Sequence, residues 1–177
     1  MQLAQQLDSK PRATIHAGAG LLFAGLVSGV IGGAAWAWLR PPIVTVVSDG
    51  SFMIDETETI QNAQFAGLGW LAVVLLVVGL VVGAAGRARR GGGQLAWFVW
   101  QLIVAALAGY VVLAVGGMVS GWLTALPEHA DGFQDGQRLS LFPIVAPGVA
   151  LCLAPFATGL VAWSRMVIRA VDTPEIV

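Results

Sequence analysis

Charge is scarce in this chain and cysteine nearly absent. Of its 177 residues only 11% are charged, and Cys152 is the one cysteine. Water-soluble domains carry about 25% charged residues, so a large polar surface cannot be built from this composition. One cysteine excludes an internal disulfide, and with it any oxidative framework for a loop. It sits in an apolar run, where a thiol serves as a small hydrophobe. Two histidines, His16 and His129, and one tyrosine, Tyr110, complete a thin supply of reactive side chains. A formal net charge of −1 leaves no electrostatic footprint for nucleic acid.

The lack of charge is most pronounced in four runs: about Ala17–Leu39, Phe65–Gly86, Leu95–Leu123 and Leu141–Ser164. A bilayer core about 30 Å thick needs roughly 20 apolar helical residues to cross it. Each run is long enough. The expectation is one all-α integral membrane domain over residues 1–177, a bundle of four transmembrane helices at about 13–39, 65–86, 95–123 and 141–164. Two longer loops, 40–64 and 124–140, then lie on one side, and a short link, 87–94, on the other.

The remaining charges set an orientation. Lys10, Arg12, Arg87, Arg89, Arg90, Arg165 and Arg169 fall on the side of the link and termini, against only Arg40 and Arg138 on the other. Asp49, Asp55, Glu56, Glu58, Glu128, Asp131 and Asp135 gather in the two longer loops. Basic segments stay cytoplasmic. Both termini are therefore expected inside a plasma membrane, with Arg87, Arg89 and Arg90 also drawn to anionic lipid headgroups. The tryptophans agree: Trp36, Trp38, Trp70 and Trp122 near one face, and Trp97, Trp100 and Trp163 near the other, suit the headgroup layers.

Small residues recur at helix-packing spacing. Gly25, Gly29, Gly33 and Ala37 form one stripe on helix one, and Gly20, Ala24, Ser28 and Gly32 another. Gly79 and Gly83 repeat the spacing in helix two, and Gly117 and Gly121 in helix three. Without Cβ bulk, helix backbones approach closely there. Helix one is expected to be the central packing element, with two neighbours. Pro155 should kink helix four by removing a backbone hydrogen bond. Gln101 and Tyr110 are expected as polar glue between helices.

In the first long loop, Ile43–Val47 and Phe52–Ile54 flank Asp49-Gly50, a hairpin signal. Arg138–Phe142 offers a third strand, so a small extracytoplasmic β cap is expected. An isolated hairpin is marginal and must lean on something.

No span holds a deep ionisable group, which argues against an ion-coupled transporter. Glu128, His129, Asp131 and Asp135 match neither zinc nor EF-hand spacing. No catalytic, cofactor or metal residues are therefore assigned, and no cofactor is expected.

Gly25-Leu26-Val27-Ser28-Gly29-Val30 and Trp36-Ala37-Trp38-Leu39-Arg40-Pro41-Pro42-Ile43-Val44 resemble the first helix and its exit in an actinobacterial family of small four-span membrane proteins, described only as a domain of unknown function. The resemblance implies an actinobacterial plasma membrane and no known activity. Together these readings point to a non-enzymatic accessory or scaffold subunit of a larger plasma-membrane complex, in envelope biogenesis or respiration. Its partners would be membrane lipids and a membrane protein. The alternative is a lipid or small-molecule transport or binding module with a cleft beside the kinked fourth helix. An enzyme acting on headgroups through Glu128, His129 and Asp131 is a third possibility.

Overall fold

The computed structural model describes residues 2–48, 51–54, 63–86, 93–124, 136, 138–142 and 145–171. Helix α1 spans Gln2–Leu39 and is followed by strands β1 (Ile43–Ser48) and β2 (Ser51–Ile54). Helices α2 (Ala63–Ala85) and α3 (Gln94–Leu123), strand β3 (Arg138–Leu141), a 3-10 turn (Gly148–Cys152) and helix α4 (Leu153–Val171) complete the order. Among the described residues, four segments are long and apolar enough to cross a membrane: Ile15–Leu39, Ala63–Ala85, Gln94–Leu123 and Gly148–Arg169. This fits a multi-pass membrane protein.

The distribution of side chains follows from lipid as solvent. Large hydrophobes such as Phe23, Ile31, Val77, Leu107 and Phe156 are exposed on the outside of the bundle, while its interior is built of Leu71, Leu75, Val82, Val104, Val112 and alanines. Lipid tails are as apolar as leucine, so burial alone does not drive helices together. Close van der Waals packing between small residues does.

The glycine stripes show how the helices meet. A Cβ on Gly29 would stand 2.7 Å from the Ala108 carbonyl oxygen, and one on Gly33 would stand 2.7 Å from that of Val112. Gly25 faces the Val104 side chain, whose Cγ1 would stand 2.6 Å from an added Cβ. The contacts climb α1 and α3 in step, so the two run parallel. Gly79 likewise admits Ala154 and Ala157, and Gly83 admits Thr158 and Val161, which makes α2 and α4 a second parallel pair. Gly32 meets Val74 and Val78 and Gly25 meets Val82, a descending order that sets α1 antiparallel to α2. Contacts between α3 and α4 close the ring α1–α3–α4–α2, and α2 and α3 also touch across its short diagonal. Helix one packs, as expected, on two neighbours through its small faces, while α2 and α3 each meet three helices. The described neighbours of helix one are α2 and α3, and those two hold the middle.

The element boundaries differ from expectation at both ends. Helix α1 begins at Gln2 and has 38 residues, a length of about 57 Å at 1.5 Å per residue, well beyond the bilayer core. The fourth span starts at Gly148 rather than Leu141 because Arg138–Leu141 pairs with β1 instead. Pro155 lies in the first turn of α4, which begins at Leu153. The chain changes there from a 3-10 turn to α-helix at Leu153, two residues before the proline, whose missing N–H is tolerated in a first turn.

The β cap forms in the order β2-β1-β3, antiparallel throughout. Ser48 opposite Ser51 and Thr45 opposite Leu139 fix the two registers. Thr45, Val47 and Leu139 are buried, and Thr45 Oγ1 donates to the Leu139 carbonyl at 3.2 Å. Alternation puts Thr45 and Val47 on one face. The Asp49-Gly50 turn lies outside the described residues.

Candidate functional site

Where α1 gives way to the sheet, Arg40 is only 7% exposed. Its N–H still closes the last helical turn on Trp36 O at 3.1 Å, and Pro41 and Pro42 then end the helix. The guanidinium stands 4.8 Å from the centroid of the Trp36 ring and 4.8 Å from that of Phe142. Trp36 precedes Arg40 by one turn, so the helix itself sets the first stack. Phe142 follows β3, so pairing of that strand with β1 brings the second.

Trp36 is locked in turn. Its Nε1 donates to Gly67 O of α2 at 2.9 Å, and its ring edge occupies the space where a Cβ of Gly116 on α3 would stand. One buried indole thus joins three helices and supports the arginine.

A cavity of about 540 Å³ opens beside this pair, lined by Arg40, Leu113, Ser120, Phe142, Val145 and Pro147 among others. Its floor is α3, where Gly117 and Gly121 present no side chain and no neighbour within 4 Å of an added Cβ. Ser120 and Thr124 also line it, but their hydroxyls donate to carbonyls of their own helix, Gly116 O at 2.5 Å and Ser120 O at 2.9 Å. The Arg40 Nε, by contrast, is buried without a hydrogen-bond partner.

A charge taken out of water costs several kcal/mol unless it is paired, and no ion pair to Arg40 is seen among the described residues. Each ring stacked on the guanidinium returns about 0.5–2 kcal/mol, and the C-terminus of α1 about 0.3–1 kcal/mol. These offset only part of the cost. Burial pulls the Arg40 pKa below its ordinary value, yet a guanidinium stays protonated at any physiological pH. The site is therefore a fixed cation between aromatic faces, whose Nε–H meets no acceptor among the described residues. The acidic residues Asp49, Asp55, Glu56, Glu58, Glu128, Asp131 and Asp135 lie outside the described residues, as does His129.

The opposite end of the bundle carries a different arginine. Arg165 of α4 donates to three carbonyls at the end of α2: Gly83 O at 2.8 Å, Gly86 O at 3.0 Å and Ala84 O at 3.1 Å. It caps that helix, where carbonyls lack intrahelical partners and a cation is favoured. Gln101 is buried beside Gly86 with its Oε1 unpartnered, next to a void of about 20 Å³. Between α3 and α4, an open apolar furrow of about 430 Å³ runs along Phe98, Leu102, Pro155, Phe156, Gly159 and Trp163.

Of the residues singled out from sequence, Gly25, Gly29, Gly33, Gly79 and Gly83 lie at helix contacts, and Pro155 lines the apolar furrow. Gly117 and Gly121 meet no helix and line the Arg40 cavity instead. Tyr110 is not glue between helices but 66% exposed on the outside of α3. Trp36 is not an interfacial ring but a buried one. Arg87, Arg89 and Arg90, and the loop carrying Glu128 and Asp131, lie outside the described residues. Among the described residues no group of three or more His, Cys, Asp or Glu gathers. Arg40 was missed as a site, although a signal existed: one arginine at the end of a span, a turn after a tryptophan, on the side where the acidic residues collect.

Comparison with family models, curated proteins and solved structures gives no match for this chain.

Proposed function

We propose that this chain is a non-enzymatic membrane module that binds a lipid or another amphipathic small molecule in the cavity at its sheet end. One observation carries the reading. The small-residue face of α3 at Gly117 and Gly121 is left open, although the same spacing on α1 and α2 is closed by a neighbouring helix. A binding cleft between helices, mostly apolar with a few polar groups, is the usual form of a small-molecule site. With the basic link and termini inside, this cleft opens at the outer leaflet of the plasma membrane. The test is mass spectrometry of molecules retained by the full chain after mild-detergent purification. Gly121→Leu should fill the cavity and abolish retention. Equal retention by wild type and variant overturns the reading.

An accessory role in a larger plasma-membrane complex is the second reading, and the sheet favours it. Strands β2 and β3 are both edges, each with one strand neighbour among the described residues, and an open edge can accept a strand from a partner. A stoichiometric membrane protein in the same purification supports this role. A free monomer in gently solubilised native membranes counts against it.

A further inference from the structure

We infer that the cavity beside Arg40 takes the oxyanion head of an amphiphile, a phosphate or a carboxylate, with the Arg40 guanidinium as its charge partner. The inference rests on the binding reading above and adds the chemistry of the ligand.

Donor supply points to an acceptor ligand. Among the described residues the lining contains four side chains with N–H or O–H groups: Trp36, Arg40, Ser120 and Thr124. Trp36 is committed to Gly67 O, Ser120 to Gly116 O and Thr124 to Ser120 O. Arg40 Nε alone among these is buried and unpartnered. A ligand that brought only donors, such as an ammonium, would meet the Arg40 cation, with only hydroxyl lone pairs of Ser120 and Thr124 to accept from it.

The mode of approach is equally restricted. Trp36 and Phe142 cover the guanidinium with their rings, so its N–H edge is what remains for a ligand. That planar fork matches the paired oxygens of a carboxylate or phosphate.

The walls supply the second half of the recognition. Leu113, Leu141, Val145 and Pro147 offer apolar surface, and Gly117 and Gly121 leave room along α3. A free inorganic anion would use the arginine and leave these walls wet. An oxyanion on an apolar stem uses both. The position also suits it, because Arg40 directly follows the membrane-crossing segment Ile15–Leu39, at the depth of headgroups.

The experiment titrates the purified full chain, in neutral-detergent micelles, with dodecyl phosphate, dodecyl maltoside and inorganic phosphate, read by calorimetry. Dodecyl phosphate should bind most tightly. Arg40→Gln should weaken it roughly 10- to 100-fold, the loss of a charged hydrogen bond, and Arg40→Lys should weaken it less. Dodecyl maltoside binding as well as dodecyl phosphate overturns the anion assignment while leaving a binding module. Inorganic phosphate binding as tightly as dodecyl phosphate overturns the amphiphile assignment. Binding by none of the three overturns the binding reading itself. The wild-type series decides these outcomes even where an Arg40 variant fails to fold. One further variant, with Asp49, Asp55, Glu56, Glu58, Glu128, Asp131 and Asp135 changed to their amides, tests a carboxylate of the chain itself. Dodecyl phosphate binding that arises only in this variant makes Arg40 an internal ion pair and overturns the proposal.

Discussion

Thr158 of α4 donates its hydroxyl to the Gly79 carbonyl of α2 at 2.8 Å, at the point where the missing side chain of Gly79 lets the two backbones meet. Both residues are buried. The hydrogen bond depends on the close approach, and the close approach depends on glycine. Thr158→Val should cost about 0.6–1.7 kcal/mol, the range for interhelical hydrogen bonds in membranes. Gly79→Ala should cost more, about 1–3 kcal/mol of overpacking, because the new methyl would run into the Ala154 backbone. Reversible unfolding in mixed micelles measures both, and a Gly79→Ala variant as stable as wild type would refute this packing.

The glycines of α1 and α3 give an internal control. Gly29→Ala and Gly33→Ala place a methyl 2.7 Å from a carbonyl oxygen of α3 and should each destabilise by about 1–3 kcal/mol. Gly117→Ala and Gly121→Ala meet nothing within 4 Å. They should be neutral or stabilise by up to about 1 kcal/mol, since alanine is the better helix former. Equal losses at all four positions, in the same unfolding assay, would contradict the open face of α3.

The spans were legible in the sequence because length and the absence of charge decide them. Ile43–Val47 and Asp49-Gly50 likewise announced the hairpin, and the weaker Arg138–Leu141 segment joined it. The start of the last span was misjudged for a physical reason: Leu141–Val145 is apolar enough for a helix, but pairing with Ile43–Val46 claims its beginning. Burial of Arg40 could not be read locally. It needs Phe142, which is far away along the chain and arrives only once β3 has paired with β1. Periodicity also could not separate Gly33, which meets α3, from Gly117, which meets nothing. Spacing reports a small face and says nothing of whether a helix covers it.

Arg165 predicts a local effect at the other end. Arg165→Ala leaves the carbonyls of Gly83, Ala84 and Gly86 without their cap and should cost about 1–2 kcal/mol. Arg165→Lys keeps the charge but not the fork that spans three acceptors, so it should recover only part. Hydrogen exchange should quicken at the end of α2 and stay unchanged in the sheet. Uniform acceleration across the protein would show a global rather than a capping role.

Orientation determines which leaflet the Arg40 cavity faces. With four spans, Lys10, Arg12, Arg87, Arg89, Arg90, Arg165 and Arg169 are expected on one side and the acidic loops on the other, and the positive-inside bias predicts the former in the cytoplasm. An even number of spans returns the chain to its starting side, so both termini should be cytoplasmic. Cys152 is exposed and must first be changed to serine. In that background Thr57→Cys should react with a membrane-impermeant maleimide in intact cells, and Ala88→Cys only after permeabilisation. The reverse pattern would turn the protein over. The cavity chemistry would survive that result, because it rests on Arg40, Trp36 and Phe142. The ligand would then come from the cytoplasmic leaflet, and the charges of the link would have to be explained by something other than retention.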